Sequence, residues 1–64
     1  MTAMWVVVFI AQDQEACVRI TGMLENEGIL VRSRPVSSDG AEFEILVPES
    51  ESGEAHRVLL DAAL

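Results

Sequence analysis

The residues able to do chemistry are few: one cysteine, Cys17, one histidine, His56, four arginines, and neither lysine nor tyrosine. A cysteine near a helix start is a candidate nucleophile, and His56 is the one residue that could serve as its base. Cys17 falls among apolar residues at helical spacing, where an unpaired cysteine behaves as a small hydrophobe, so it reads as core. His56 follows Glu54 on the solvent side of a helix pattern and reads as a surface histidine rather than a ligand or pH switch. One cysteine and one histidine neither form an internal disulfide nor complete a structural zinc site. The missing lysine removes Schiff-base and pyridoxal-phosphate chemistry. Glu49, Glu51 and Glu54 resemble a metal cluster in composition alone. Ser50, Ser52 and Gly53 between them describe a solvated helix start, where carboxylates suit the dipole. With no nucleophile, base and orienter converging, the chain reads as a non-enzyme without catalytic residues, metal or cofactor.

Arg32 and Arg34 are half of all the cations. Two arginines on one strand face can grip a carboxylate or phosphate bidentately, which makes them weak ligand candidates for a metabolite-sensing domain. Glu42 and Glu44 lie opposite in the expected hairpin, and a cross-strand ladder of exposed ion pairs, each worth well under about 1 kcal/mol, is the simpler reading.

Eleven acids against those four arginines give a formal net charge of −7. Nucleic-acid affinity comes largely from cations neutralising phosphates, so a nucleic-acid partner is not expected, and an anionic membrane surface fits as poorly. The apolar run Met4 to Ile10 is too short to span a bilayer, and the N-terminus lacks the positive region and cleavage site of a signal peptide. With a lone cysteine, this points to the cytoplasm.

Stepping along the chain, Met4 to Ile10 forms a strand by its β-branched and aromatic content. Ala11-Gln12-Asp13 breaks it. Asp13 caps a helix from about Gln14 to Asn26, with Ala16, Cys17, Ile20, Met23 and Leu24 on one stripe and Gly28 just past the end. Gly22 inside this helix marks either a close backbone approach or a tolerated cost. Ile29 to Arg34 makes a second strand ended by Pro35. Val36 to Ala41 is a turn containing Ser37-Ser38-Asp39-Gly40, and Glu42 to Val47 alternates as a third strand before Pro48. Centred near Ser38, this hairpin sets Val31 opposite Ile45 and Ile29 opposite Val47 on one side, with Arg32 opposite Glu44 and Arg34 opposite Glu42 on the other. Ser50 caps a last helix from about Glu51 to Ala63, buried through Ala55, Val58, Leu59 and Ala62.

The order βαββα, a right-handed crossover and a short hairpin predict an α+β ferredoxin-like sandwich. Its three-stranded antiparallel sheet has the order 1-3-2, with both helices on one face, as a single domain over residues 1–64. So short a chain buries only about 60% of its unfolded surface, and oligomerisation is the remaining way to add buried area. Met4 to Ile10 has seven apolar residues and no charge, proline or glycine, so it lacks the usual protections of an edge strand. A homodimer or a protein partner is therefore expected. The interface candidates are Trp5, Val6, Val8 and Ile10 on the first strand, with Leu30 and Leu46 if the sheet face rather than the edge forms the contact. Trp5 reads equally as interface anchor and core filler.

Trp5-Val6-Val7-Val8 followed by Gln14-Glu15-Ala16, the run Leu24-Glu25-Asn26-Glu27-Gly28-Ile29, and Leu46-Val47-Pro48-Glu49 leading to Ala55-His56-Arg57-Val58-Leu59 carry a resemblance. Nearly the whole chain from Met4 onward resembles the small prokaryotic signal-transducing proteins related to the PII nitrogen regulators. The resemblance implies a ferredoxin-like, PII-like domain and a signalling role taken from fold kinship, without a defined activity. The chain lacks the long nucleotide-binding loop and glycine-rich phosphate cradle of the larger relatives, so no ATP or 2-oxoglutarate site is carried over to any residue. Gly53 stands where a capping-box glutamate after Ser50 would fall. The expected function is a small regulatory or protein-interaction module, with a small-metabolite sensor of the ferredoxin-like regulatory type as the alternative.

Overall fold

The apolar run settles as a strand, β1 (Trp5–Ala11), and the chain continues through α1 (Gln14–Asn26), β2 (Arg32–Pro35), β3 (Phe43–Pro48), a 3-10 turn (Glu49–Glu51) and α2 (Ser52–Ala63). This computed structural model describes residues 4–36, 38 and 41–63. The strands form one antiparallel sheet in the order β1-β3-β2, giving the α+β, ferredoxin-like βαββα arrangement. Both helices cover the same face: α1 lies across all three strands, and α2 lies over β1 and β3. Between helices and sheet sits one core of Ala11, Cys17, Ile20, Leu24, Ile29, Ile45, Val47 and Ala55, with Val6, Val8, Met23, Val31, Phe43, Val58 and Leu59 packed around it.

The ends of α1 are set by local chemistry. The Asp13 carboxylate accepts from the Ala16 N–H at 2.7 Å, satisfying one of the free donors of the first turn. At the other end Gly28 takes φ +81, the left-handed conformation that costs glycine least. The Gly28 N–H then donates to the Glu25 carbonyl at 2.9 Å and the Ile29 N–H to the Leu24 carbonyl at 3.1 Å. These two bonds are the Schellman pattern, and its customary apolar contact is met by Leu24 and Ile29, both buried. Gly22 resolves to the tolerated alternative, since a Cβ there would meet nothing within 4 Å. Gly22→Ala is accordingly expected to stabilise the chain by about 0.5–1 kcal/mol, read as a higher urea midpoint at unchanged slope.

Three local expectations change. The second strand is shorter than Ile29 to Arg34, because Ile29 is tied back to α1 and dives into the core, and the ladder begins only at Arg32. The hairpin is closed by the Val36 N–H donating to the Glu42 carbonyl at 3.0 Å, so its centre falls one residue later than Ser38. Of the expected turn, Ser37, Asp39 and Gly40 lie outside the described residues. Moving the centre by one residue slides every pair by two, which keeps each side chain on its face but changes its partner. Arg34 now stands opposite Glu44, and Arg32 opposite Leu46, in place of the pairs Arg34–Glu42 and Arg32–Glu44. Lastly, Ser50 does not cap α2. Pro48 leads into the 3-10 turn with no side-chain cap, the Ser52 hydroxyl donates to the Glu49 carbonyl at 2.8 Å, and the α-helix starts at Ser52. A tight turn is the usual way to wind a helix start that lacks a capping side chain.

Candidate interaction surface

Strand β1 carries an irregularity that places its side chains. It pairs with β3 as Val6 with Val47 and Val7 with Leu46, then Phe9 with Ile45, Ile10 with Glu44 and Ala11 with Phe43, leaving Val8 as an extra residue. Such a bulge lets two successive side chains share one side of the sheet. Val6 and Val8 both pack against the core, and Phe9 lines a groove with Arg19, Ile20, Met23, Leu59 and Ala62, so all three lie on the helix side with Ala11. Trp5, Val7 and Ile10 lie on the helix-free face. Val7 and Ile10 remain 42% and 40% exposed there.

The two edges of the sheet differ. Every residue of β2 is exposed, and Arg32, Arg34 and Pro35 give it the charges and missing N–H that discourage pairing with another strand. β1 has none of these. Among the described residues no other strand lies beside its outer edge, and the ladder with β3 is extended past its start by the Glu49 N–H donating to the Met4 carbonyl at 2.7 Å.

On the helix-free face, Arg34 Nε donates to Glu44 Oε1 at 2.6 Å, both side chains being partly solvated. Arg32 has no carboxylate partner among the described residues. Its guanidinium carbon instead lies 4.5 Å from the centre of the Trp5 ring, reaching across β3 above Leu46. A cation over an indole face is held by the ring quadrupole, by about 0.5–1 kcal/mol at an exposed site. The arginine stem and the indole also cover Leu46, which is only 7% exposed despite facing away from the helices. Trp5, Arg32, Ser33, Arg34 and Leu46 enclose a hollow of about 300 Å³. Its chemistry is that of an apolar floor with one unneutralised planar cation at the rim, suited to a carboxylate, a phosphate or an aromatic ring.

The sequence candidates thus separate. Trp5, Ile10, Arg32 and Arg34 share the helix-free face; Val6 and Val8 support the core; Leu46 is already covered; and Leu30 is exposed between α1 and β2, apart from the β1 edge. Val7 and Phe9, both exposed, are the surface residues that sequence reasoning missed. Alternation within Met4 to Ile10 cannot reveal them, because a bulge in an all-apolar run leaves the polar pattern unchanged. Cys17 is buried in the core while His56 is exposed on α2, and no group of three or more histidine, cysteine or carboxylate residues among those described could hold a metal ion. No described helix is long and apolar enough to cross a membrane. No family model matches the chain, and no curated protein or solved structure matches it either.

Proposed function

We propose that this chain is a small non-catalytic regulatory or protein-interaction module of the cytoplasm, with PII-like signal transduction as its setting. The observation that carries the reading is β1, an edge strand with no charge and no proline whose outer backbone is open and whose Val7, Phe9 and Ile10 are exposed. Open strand edges of this kind bind by adding a strand, which takes affinity from the backbone and specificity from alternate side chains. The resemblance in Trp5-Val6-Val7-Val8 and Leu24 to Ile29 supports the signalling setting, and a lone cysteine kept within the core supports a reducing compartment.

A photo-crosslinking residue placed at Val7 in cells tests the reading. Covalent protein adducts are expected there, and none from the exposed α1 position Glu25. The second reading, a small-metabolite sensor, is favoured by one feature, the unneutralised Arg32 at the rim of the Trp5–Leu46 hollow. It predicts that a carboxylate- or phosphate-bearing metabolite raises the melting temperature and that Arg32→Ala abolishes the shift. That result, with no adduct at position 7, would replace the first reading by the second.

A further inference from the structure

We propose that two copies of this chain pair antiparallel through β1 about a two-fold axis, joining two three-stranded sheets into one of six strands, with Val7 of each copy opposite Ile10 of the other. The inference rests on the interaction-module reading and names its partner. It comes from the order of faces along β1. From Val6 to Ala11 the side chains lie helix side, free side, helix side, helix side, free side, helix side, the doubled step being the bulge at Val8 and Phe9. Read from Ala11 back to Val6 the order is the same. Strands paired in a sheet must match residues that share a face, and a two-fold axis presents each strand with its own reverse. A regular strand satisfies this only when the axis passes through a residue. Here it is satisfied with the axis between Val8 and Phe9, which pairs Val6 with Ala11, Val7 with Ile10 and Val8 with Phe9.

All three pairs are apolar, which matters for a chain of net charge −7, since two acidic copies repel wherever charges approach. The strand contributes no charge to the contact. A foreign strand would need to reproduce a bulged face pattern that a second copy already has. The flank of α2 on this side fits the same partner. Val58 and Asp61 border a hollow with Met23, Asn26 and Glu27 and so face α1. At 100° per residue, Leu60 and His56 fall on the opposite flank, and α2 overlies β1 and β3. Leu60 is 68% exposed, so the helix beside the open edge also presents an apolar residue.

Sedimentation of the full chain at tens of micromolar should give a particle of twice its 7.0 kDa mass, more completely at higher salt as repulsion is screened. Val7→Lys and Ile10→Lys, both at exposed positions, should each return the mass to one chain with the circular-dichroism spectrum unchanged. Val18→Lys on the outer side of α1 should leave the dimer intact. In a Cys17→Ala background, Val7→Cys with Ile10→Cys should oxidise to a covalent dimer and Val7→Cys alone should not. A wild-type chain that sediments as a folded monomer overturns the proposal, as does a dimer that survives both lysines; a covalent dimer from Val7→Cys alone overturns the register. If adducts to another protein form at position 7 while the purified chain is monomeric, this proposal fails and the interaction-module reading stands. If neither forms, both fail.

Discussion

Leu24→Ala should be the most damaging truncation in the chain, lowering stability by about 2–5 kcal/mol. Leu24 is fully buried at the centre of the core, between α1 and the sheet, and its backbone carbonyl accepts from the Ile29 N–H just past the end of α1. The substitution keeps that carbonyl and removes only side-chain volume. The cavity cannot collapse easily, because one wall is the sheet and another is fixed by the Ile29 bond. At about 0.05–0.15 kcal/mol per residue, a domain of 64 residues has roughly 3–10 kcal/mol in total, so the loss is a large share of it. Urea unfolding followed by far-UV circular dichroism checks this at one fixed chain concentration, since self-association would couple stability to concentration. Leu24→Met, which conserves volume, should cost less than about 1.5 kcal/mol. Equal losses in the two variants would mean the leucine matters through its rotamer and not its bulk.

Val47→Asp should unfold the chain at neutral pH and let it refold as the solution is acidified. Val47 is fully buried on the central strand, beside Val6 of β1. Arg19, Arg32, Arg34 and Arg57 are all exposed, so among the described residues no arginine is at hand to pair a carboxylate there. A buried, unpaired carboxylate is driven to its neutral form, which raises its folded-state pKa above the unfolded value of about 3.9. The sign follows from proton counts. Between those two pKa values the folded state binds the proton and the unfolded state does not, so stability falls as pH rises through the window. Below about pH 3.9 both states are protonated and the charge penalty disappears, leaving the cost of an uncharged polar group. Val47→Asn carries that last cost without the titration. A denaturant midpoint that rises on acidification for the aspartate variant, relative to asparagine at the same pH, is the expected result; parallel pH curves would place residue 47 outside the core.

Much of the fold is legible in the sequence, and the reason differs by element. The first helix, Gln14 to Asn26, is marked at both ends by residues with a single local job, Asp13 accepting from a first-turn N–H and Gly28 taking positive φ, so no tertiary information is needed. The strand order follows from crossover handedness and the brevity of the hairpin. Hairpin register is harder, since Ser37-Ser38-Asp39-Gly40 offers several turn positions, and the face pattern of Ile29 to Arg34 and Glu42 to Val47 is satisfied equally by pairings two residues apart. The slip decides the character of the surface. It separates Arg32 from Glu44 and leaves it to Trp5, which turns an expected ion-pair ladder into one ion pair and one cation–ring stack. The bulge at Val8 is illegible for a stronger reason: in Val6-Val7-Val8 any assignment of faces buries the same kind of side chain.

The sheet order also bears on when β1 acquires a partner during synthesis. Among the described residues its one strand neighbour is β3, and Pro48, the partner of Trp5, comes 43 residues later. At about 5–20 residues per second of elongation, the apolar strand waits roughly 2–9 seconds before the segment that pairs with it has been made. The β2–β3 hairpin can close through local contacts as soon as it emerges, whereas β1 must close a loop spanning most of the chain. The nascent polypeptide therefore carries its stickiest segment well ahead of the strand that covers it, and holding that segment clear of other chains falls to the cell during the interval.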